Sequence, residues 1–286
     1  MIRPIAILVG LGFSIVVLLA FVTGAYTWAT EEAQHTAEHE FHLAPEGPAG
    51  GFAHDGPVGT WDVAQLQRGY QVYKEVCSAC HGLKNVAIRD LAGIGYSEGQ
   101  IKAEAASYQV PGINPDTGEA TFRPGLPTDY FPSPYPNAVA AAAANNNAVP
   151  PDLSLMTKAR HHGPEYVYSL LTGYGPVPAE LTAEFPEFET PTGLHFNRYF
   201  PNLNLAMAPP LTADGQVTYA EGNPAPTIRQ MSADVAAFLT WTAEPKLVER
   251  RQTGWPVLGF LIFATILAFL AKKQVWSSVK PRREDG

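Results

Sequence analysis

Cys77-Ser78-Ala79-Cys80-His81 is the stretch of this chain best equipped for chemistry. It holds the only two cysteines of 286 residues, with a histidine directly after the second. C-x-x-C-H is the attachment sequence of a c-type haem. Two thiols at this spacing can add across the two haem vinyl groups as thioethers, and the next residue then lies beneath the iron, so His81 can supply the proximal nitrogen. A thioredoxin-like redox pair has no need of the histidine and sits near a βαβ pattern, which this sequence lacks. Half of a zinc site would need two further ligands, and there is no third cysteine.

A haem held by His81 has a sixth position to fill. A thioether there raises the reduction potential and shuts out small molecules. The methionines are Met1, Met156, Met207 and Met231. Met207 lies in Leu203-Asn204-Leu205-Ala206-Met207-Ala208-Pro209-Pro210, an extended, helix-excluding loop well after the motif. Met156 and Met231 lie near expected helix starts, Met1 in the leader. His161, His162 and His195 are the candidates for a bis-histidine site.

Several elements must position these groups. Asp62 to Val76 carries apolar residues at 63, 66, 70, 72, 73 and 76, an amphipathic helix capped by Asp62 that delivers Cys77. Further helices are expected over Ser97–Ser107, over the alanine run 138–144 stopped by three asparagines, over Glu165–Leu171 stopped at Gly173, and over Ser232–Thr242. Residues 110–137 and 174–230 read as coil. Long irregular stretches in a compact domain are functional or wrap a ligand, and a large cofactor in place of side-chain packing would account for them. Residues 30–60, polar and rich in Gly and Pro, read as a solvated linker; a metal site from His35, His39 and His42 is the less favoured reading.

Both ends are apolar. Residues 255–271 form an uncharged run bracketed by Trp255 and Trp276. At ~1.5 Å per residue it covers most of a ~30 Å hydrocarbon core. Lys272, Lys273, Lys280, Arg282 and Arg283 follow, so the tail 272–286 should be cytoplasmic. Residues 1–29, with Arg3 before an apolar run, read as a signal peptide or uncleaved signal anchor, retention being favoured. Both ends therefore place 61–250 on the outer side. Of 19 Lys+Arg, six lie at the ends, leaving 13; of 27 Asp+Glu, two lie at the end, leaving 25, a net of −12. Such a field favours encounter with a basic partner and disfavours nucleic acid.

From about Leu66 onward the chain resembles cytochrome c1, the haem subunit of ubiquinol–cytochrome c oxidoreductase. The resemblance rests on Arg68-Gly69-Tyr70-Gln71-Val72-Tyr73, the C-x-x-C-H motif, Asp129-Tyr130-Phe131-Pro132, Tyr135-Pro136-Asn137 and Pro150-Pro151-Asp152-Leu153-Ser154. It continues through Ala159-Arg160-His161, the segment Tyr166 to Tyr174, and Ala206-Met207-Ala208-Pro209-Pro210. It implies a mainly α-helical class I cytochrome c domain with long irregular loops, a C-terminal transmembrane helix and an N-terminal signal or anchor helix. It further implies one haem c on Cys77 and Cys80, with His81 and Met207 axial and Arg160 paired to a propionate. Asn145 and Pro151 would line the pocket, with Tyr166 near the propionates. The implied partners are a Rieske iron–sulfur protein, cytochrome b and a soluble or membrane-bound c-type cytochrome. The location would be the bacterial inner membrane with a periplasmic haem domain, and no catalytic site of its own is expected. Two cysteines, both used, exclude the extra disulfide of some bacterial relatives. A haem c subunit of a terminal oxidase is the alternative.

Overall fold

The computed structural model describes residues 2–30 and 35–279. Met1 and the tail from Lys280 onward, with its three further basic residues, lie outside the described residues, as does 31–34 within the expected linker. The architecture is mainly helical: α1 (Ile2–Thr30), α2 (Ala37–Phe41), α3 (Val63–Glu75), α4 (Glu98–Ala106), α5 (Ala138–Ala144), α6 (Met156–Ala159), α7 (Gly163–Thr172), α8 (Ala179–Glu184), α9 (Ile228–Ala243) and α10 (Leu247–Trp276). Two short antiparallel pairs complete it, β1 (Gln109–Ile113) with β2 (Ala120–Pro124) and β3 (His195–Phe196) with β4 (Asn204–Leu205).

The expected helices form, and their ends follow the cap chemistry. The Asp62 carboxylate accepts the Gln65 amide at 3.0 Å and starts α3. Ser97 and Gln100 form a reciprocal capping box at α4, and Asn137 caps the alanine helix α5. Helix α9 starts earlier than expected, at a Thr227 cap, because Ile228 and Met231 extend its buried face.

The core is organised by the crossing of α3 and α9, with α6 and α7 also packed on α9. Gly69 sits at the closest approach: a Cβ there would run into the carbonyl of Asp234 and into Phe238. Tyr70, Tyr73, Phe131 and Phe238 cluster with ring centroids 5.5 to 6.3 Å apart, distances that suit tilted and edge-on aromatic pairs. Arg68 forks onto the fully buried Asp234, Nε to Oδ2 at 2.9 Å and Nη2 to Oδ1 at 3.1 Å, binding the two helices a second time.

Two stretches differ from the sequence expectation. Within the expected coil 110–137, β1 and β2 pair from Gln109↔Pro124 to Ile113↔Ala120 around a turn that ends at Gly118, whose φ is +73°. Pro111, Gly112 and Pro124 hide this hairpin from a strand pattern. They are tolerated because both strands are edges. The segment expected as a solvated linker is strapped down from residue 36. Ala37 packs in a small second core with Leu181, Phe185, Phe196 and Leu203. The Ser169 hydroxyl accepts the Glu46 amide at 2.8 Å and donates to its carbonyl at 2.7 Å, and Phe52 and His54 are buried. His35 pairs with Glu40 and lies 3.8 Å from Glu184, while His42 Nε2 is 3.3 Å from the Tyr199 carbonyl. Glu40 apart, these partners stand more than a hundred residues away in sequence, so a local polar pattern cannot show them.

Arg3–Thr30 and Leu247–Trp276 are long and apolar enough to cross a membrane. Helix α10 begins eight residues before the apolar run, and its first turns pack on the preceding domain, with Leu247 buried and Arg251 bonded to the His54 carbonyl.

Candidate haem site

Helix α3 ends at Val76, and Cys77–Ala79 continues as one 3-10 turn. The Cys77 carbonyl accepts the amides of Cys80 at 3.1 Å and His81 at 2.9 Å, closing the motif into a compact loop. Both cysteines are free thiols. Burial, then the neighbouring Cys80, pushes the Cys77 thiol up to about 12, so it is held protonated. The Tyr135 hydroxyl stands 3.7 Å from Cys80 Sγ.

The histidine is fixed from two sides. Its carbonyl accepts the Tyr73 hydroxyl at 3.0 Å, and its Nδ1 lies 2.7 Å from the carbonyl of Pro151. A carbonyl can only accept, so Nδ1 carries the proton and the Nε2 lone pair is free for a metal, the arrangement typical of ligating histidines. Burial holds the imidazole pKa below its ordinary value against the opposing pull of the Pro151 bond and Asp152, which keeps the ring in its neutral, ligating form.

Three bonds stitch the stretch after the motif to the Pro-Pro-Asp-Leu-Ser segment, and a fourth braces that segment internally. Asp152 accepts the Lys84 amide at 2.8 Å and the Ser154 amide at 3.0 Å, the Ser154 hydroxyl accepts the Asn85 amide at 3.1 Å, and the Leu153 amide donates to the Gly82 carbonyl at 2.9 Å. A side chain at Gly82 would press on Asp152 at 3.2 Å. Pro151 is thus held where its carbonyl meets His81.

Met207 follows β4 in a half-buried loop, and its carbonyl accepts the Tyr174 hydroxyl at 2.9 Å. A cavity of about 510 Å³ opens beside this loop, lined among others by Tyr174, Val177, Leu194, Phe196 and Pro209. Met156 and Met231 are packed into the main core, His161 is exposed, His162 caps α7 in a left-handed conformation, and His195 lies in β3. Tyr166 is half-buried on α7, and burial pushes the Tyr174 hydroxyl to a higher pKa. Arg160 is exposed and bonds only the adjacent Ala159 carbonyl among the described residues, at 3.1 Å. Asn145 ends α5 and bonds back to the Ala141 carbonyl at 2.7 Å.

The structure therefore brings Cys77, Cys80, His81 and Pro151 into one site and ties Met207 to Tyr174, while Tyr166 is half-buried on α7. Arg160 and Asn145 make only local contacts. Tyr73, Tyr135, Tyr174 and Asp152 were given no role from the sequence. Their signal was a polar-tipped ring or a short acid beside a motif segment, which carries no partner information.

Two free thiols and a neutral imidazole presenting Nε2 are the donor set that a covalently held haem requires, and the zipped loop leaves neither thiol paired to the other. The mainly helical fold, its two helices long and apolar enough to cross a membrane and this donor set fit the class of the c-type cytochromes. The family model described as the cytochrome C1 family matches residues 52–279. A cytochrome c1 of Rhodospirillum rubrum is 46% identical over 234 residues, 79% of this chain and 85% of that protein. The mitochondrial cytochrome c1 haem protein of Saccharomyces cerevisiae is 42% identical over 254 residues, 89% of this chain and 78% of that one. A Bradyrhizobium diazoefficiens protein named cytochrome b/c1 is 47% identical over 248 residues, 82% of this chain and 36% of its own length. The chain belongs to the cytochrome c1 family.

Proposed function

We propose that this chain is the electron outlet of a quinol–cytochrome c oxidoreductase (bc1) complex, receiving electrons from a Rieske iron–sulfur protein beside cytochrome b and delivering them to a c-type cytochrome. The observation that carries the proposal is the His81–Pro151 bond, because it readies one imidazole nitrogen as a permanent ligand beside two free thiols. A haem bound there would supply one-electron chemistry at its iron. Cys77 and Cys80 would hold it by addition of each S–H across a vinyl group, a step that needs no oxidant. His81 would be the proximal ligand and Met207 the distal one, its loop anchored through Tyr174. Arg160, exposed and paired with no carboxylate among the described residues, is a suitable partner for a propionate, and Asn145, Pro151 and Tyr166 would belong to the pocket wall. With both axial positions filled by the protein, the site moves electrons without binding substrate.

The acidic balance of the extramembrane part supports a basic soluble acceptor. The basic flank of α10 and the leading Arg3 support a haem domain on the periplasmic side of a bacterial cell membrane, with the C-terminal end cytoplasmic.

The test is spectroscopic. The membrane-extracted protein should show covalent haem, a methionine–iron charge-transfer band when oxidised, and no carbon monoxide shift when reduced. Met207→Leu should retain the haem, lose that band and have a lower midpoint potential. An unchanged band and midpoint in the variant would remove Met207 from the iron, and ready carbon monoxide binding in the unmodified protein would point to a sensor or peroxidase instead.

A further inference from the structure

At the haem-domain end of α10 lies a groove of about 320 Å³, lined by Gly56, Pro57, Arg250, Arg251, Gly254, Trp255 and Leu258. It is at the small end of ligand-sized cavities (~300–1,000 Å³). One wall is the 54–57 loop, which Arg251 clasps: its Nη1 donates to the His54 carbonyl at 2.6 Å and the Gly56 carbonyl at 2.9 Å, while Trp255 Nε1 lies 3.4 Å from the Pro57 carbonyl. The other wall is the helix itself, passing within eight residues from paired arginines to Leu258.

The position fixes the depth of the groove. A helix of 30 residues runs ~45 Å at ~1.5 Å per residue, well beyond a ~30 Å hydrocarbon core. The apolar run begins at Trp255, an interfacial residue type, so Arg250 and Arg251 stand in the headgroup layer and Leu258 at the top of the acyl layer. Arg250 is partly neutralised, its Nε donating to Glu244 at 2.7 Å. Arg251 forms no ion pair among the described residues, and its Nε and Nη2 are left to donate elsewhere. Gly254 faces the groove with open space where a Cβ would stand. The cavity thus has a cationic, guanidinium-lined mouth above an apolar floor.

We infer that this groove binds the phosphate headgroup of an acidic phospholipid, with the first segment of an acyl chain along Gly254 and Leu258. The guanidinium matches phosphate geometrically. A zwitterionic lipid offers the same phosphate but brings its own cation to an already cationic mouth. The bound lipid would brace the joint between α10 and the 54–57 loop, and so the tilt of the haem domain over the membrane.

Native mass spectrometry of the membrane-extracted protein, supplied with phosphatidylglycerol or phosphatidylcholine of identical chains, tests this. Phosphatidylglycerol should be retained preferentially. An arginine near a charged lipid surface contributes ~1 kcal/mol, a factor of about five in retention, so Arg250→Gln and Arg251→Gln should each lower it by about that factor. Gly254→Leu should abolish retention by filling the groove. It leaves both arginines and the clasp in place, and the haem absorbance, unchanged in this variant, reports folding. Equal retention of the two lipids, displacement by glycerol phosphate alone, or undiminished retention in Gly254→Leu would overturn the inference. So would loss of a neighbouring subunit rather than a lipid from that variant, which would assign the groove to a protein contact.

Discussion

The imidazole Nδ1 of His81 rests 2.7 Å from the carbonyl of Pro151, seventy residues on, and this one bond decides which ring nitrogen is left free to bind a metal. A hydrogen bond of this kind makes the ligand more basic and so favours the oxidised metal. The relationship is built from backbone: Asp152 and Ser154 lock their segment to 82–85, and the proline ring limits the carbonyl's freedom.

If His81 ligates the proposed haem, Pro151→Gly should keep the cysteine attachment but loosen the carbonyl, making His81 a weaker donor. The midpoint potential should rise relative to the unmodified protein, in the opposite direction to Met207→Leu. Redox titration of the two variants side by side checks the sign. A fall, or no change, would remove the Pro151 bond from the control of the iron.

Tyr174→Phe removes the hydroxyl that holds the Met207 carbonyl at 2.9 Å. The expected cost in stability is about 1 kcal/mol, the usual net worth of such a bond. If Met207 is the distal ligand, its loop should also detach more often, so that ferrous protein binds carbon monoxide slowly where the unmodified protein does not. Stopped-flow mixing with carbon monoxide would show it, and identical kinetics in both proteins would mean that the anchor is not needed.

Asp129 links β2 to the following loop. It accepts two bonds from Arg123, at 2.7 and 2.9 Å, and the Leu126 amide at 2.7 Å. These bonds, with Arg123 foremost, depress its pKa to about 2 from an ordinary 3.8. A carboxylate with a depressed folded pKa contributes stability above its unfolded pKa and loses that contribution as pH falls through the folded one. The hairpin should therefore loosen between about pH 4 and pH 2. Asp129→Asn should be less stable at neutral pH and should lack this component of acid sensitivity. Both side chains are partly solvated, so the effect should be small and reduced by salt. Thermal melts across the pH range, with and without added salt, measure it.

Gly69→Ala places a methyl group against the Asp234 carbonyl, where backbone cannot yield without moving α3 off α9. Overpacking of this kind costs about 1–3 kcal/mol. At ~2–4 °C per kcal/mol for a domain of this size, melting should fall by several degrees. Asp234→Ala should cost more, ~3–5 kcal/mol, because it strands the Arg68 guanidinium in a buried setting. Circular dichroism melts would rank the two. A harmless Gly69→Ala would mean that the crossing is looser than the geometry requires.

The sequence by itself pointed to the chemistry and the residues expected to carry it. The C-x-x-C-H spacing is local, so thiols and imidazole could be read together. Apolar runs longer than any core helix mark the membrane segments, and cap residues such as Asp62, Ser97 and Asn137 mark helix starts, since all of these act within a few residues. Tertiary structure decided what acts across the chain. Only the folded molecule shows that Pro151 serves His81, that Tyr174 serves Met207, that Arg251 clasps the 54–57 loop, and that residues 36–54 are a packed strap. Each of these contacts uses a backbone carbonyl or a small buried surface as its receiving partner. A carbonyl is common to every residue and leaves no mark in composition or period, so its partner emerges only when the chain is brought together in space.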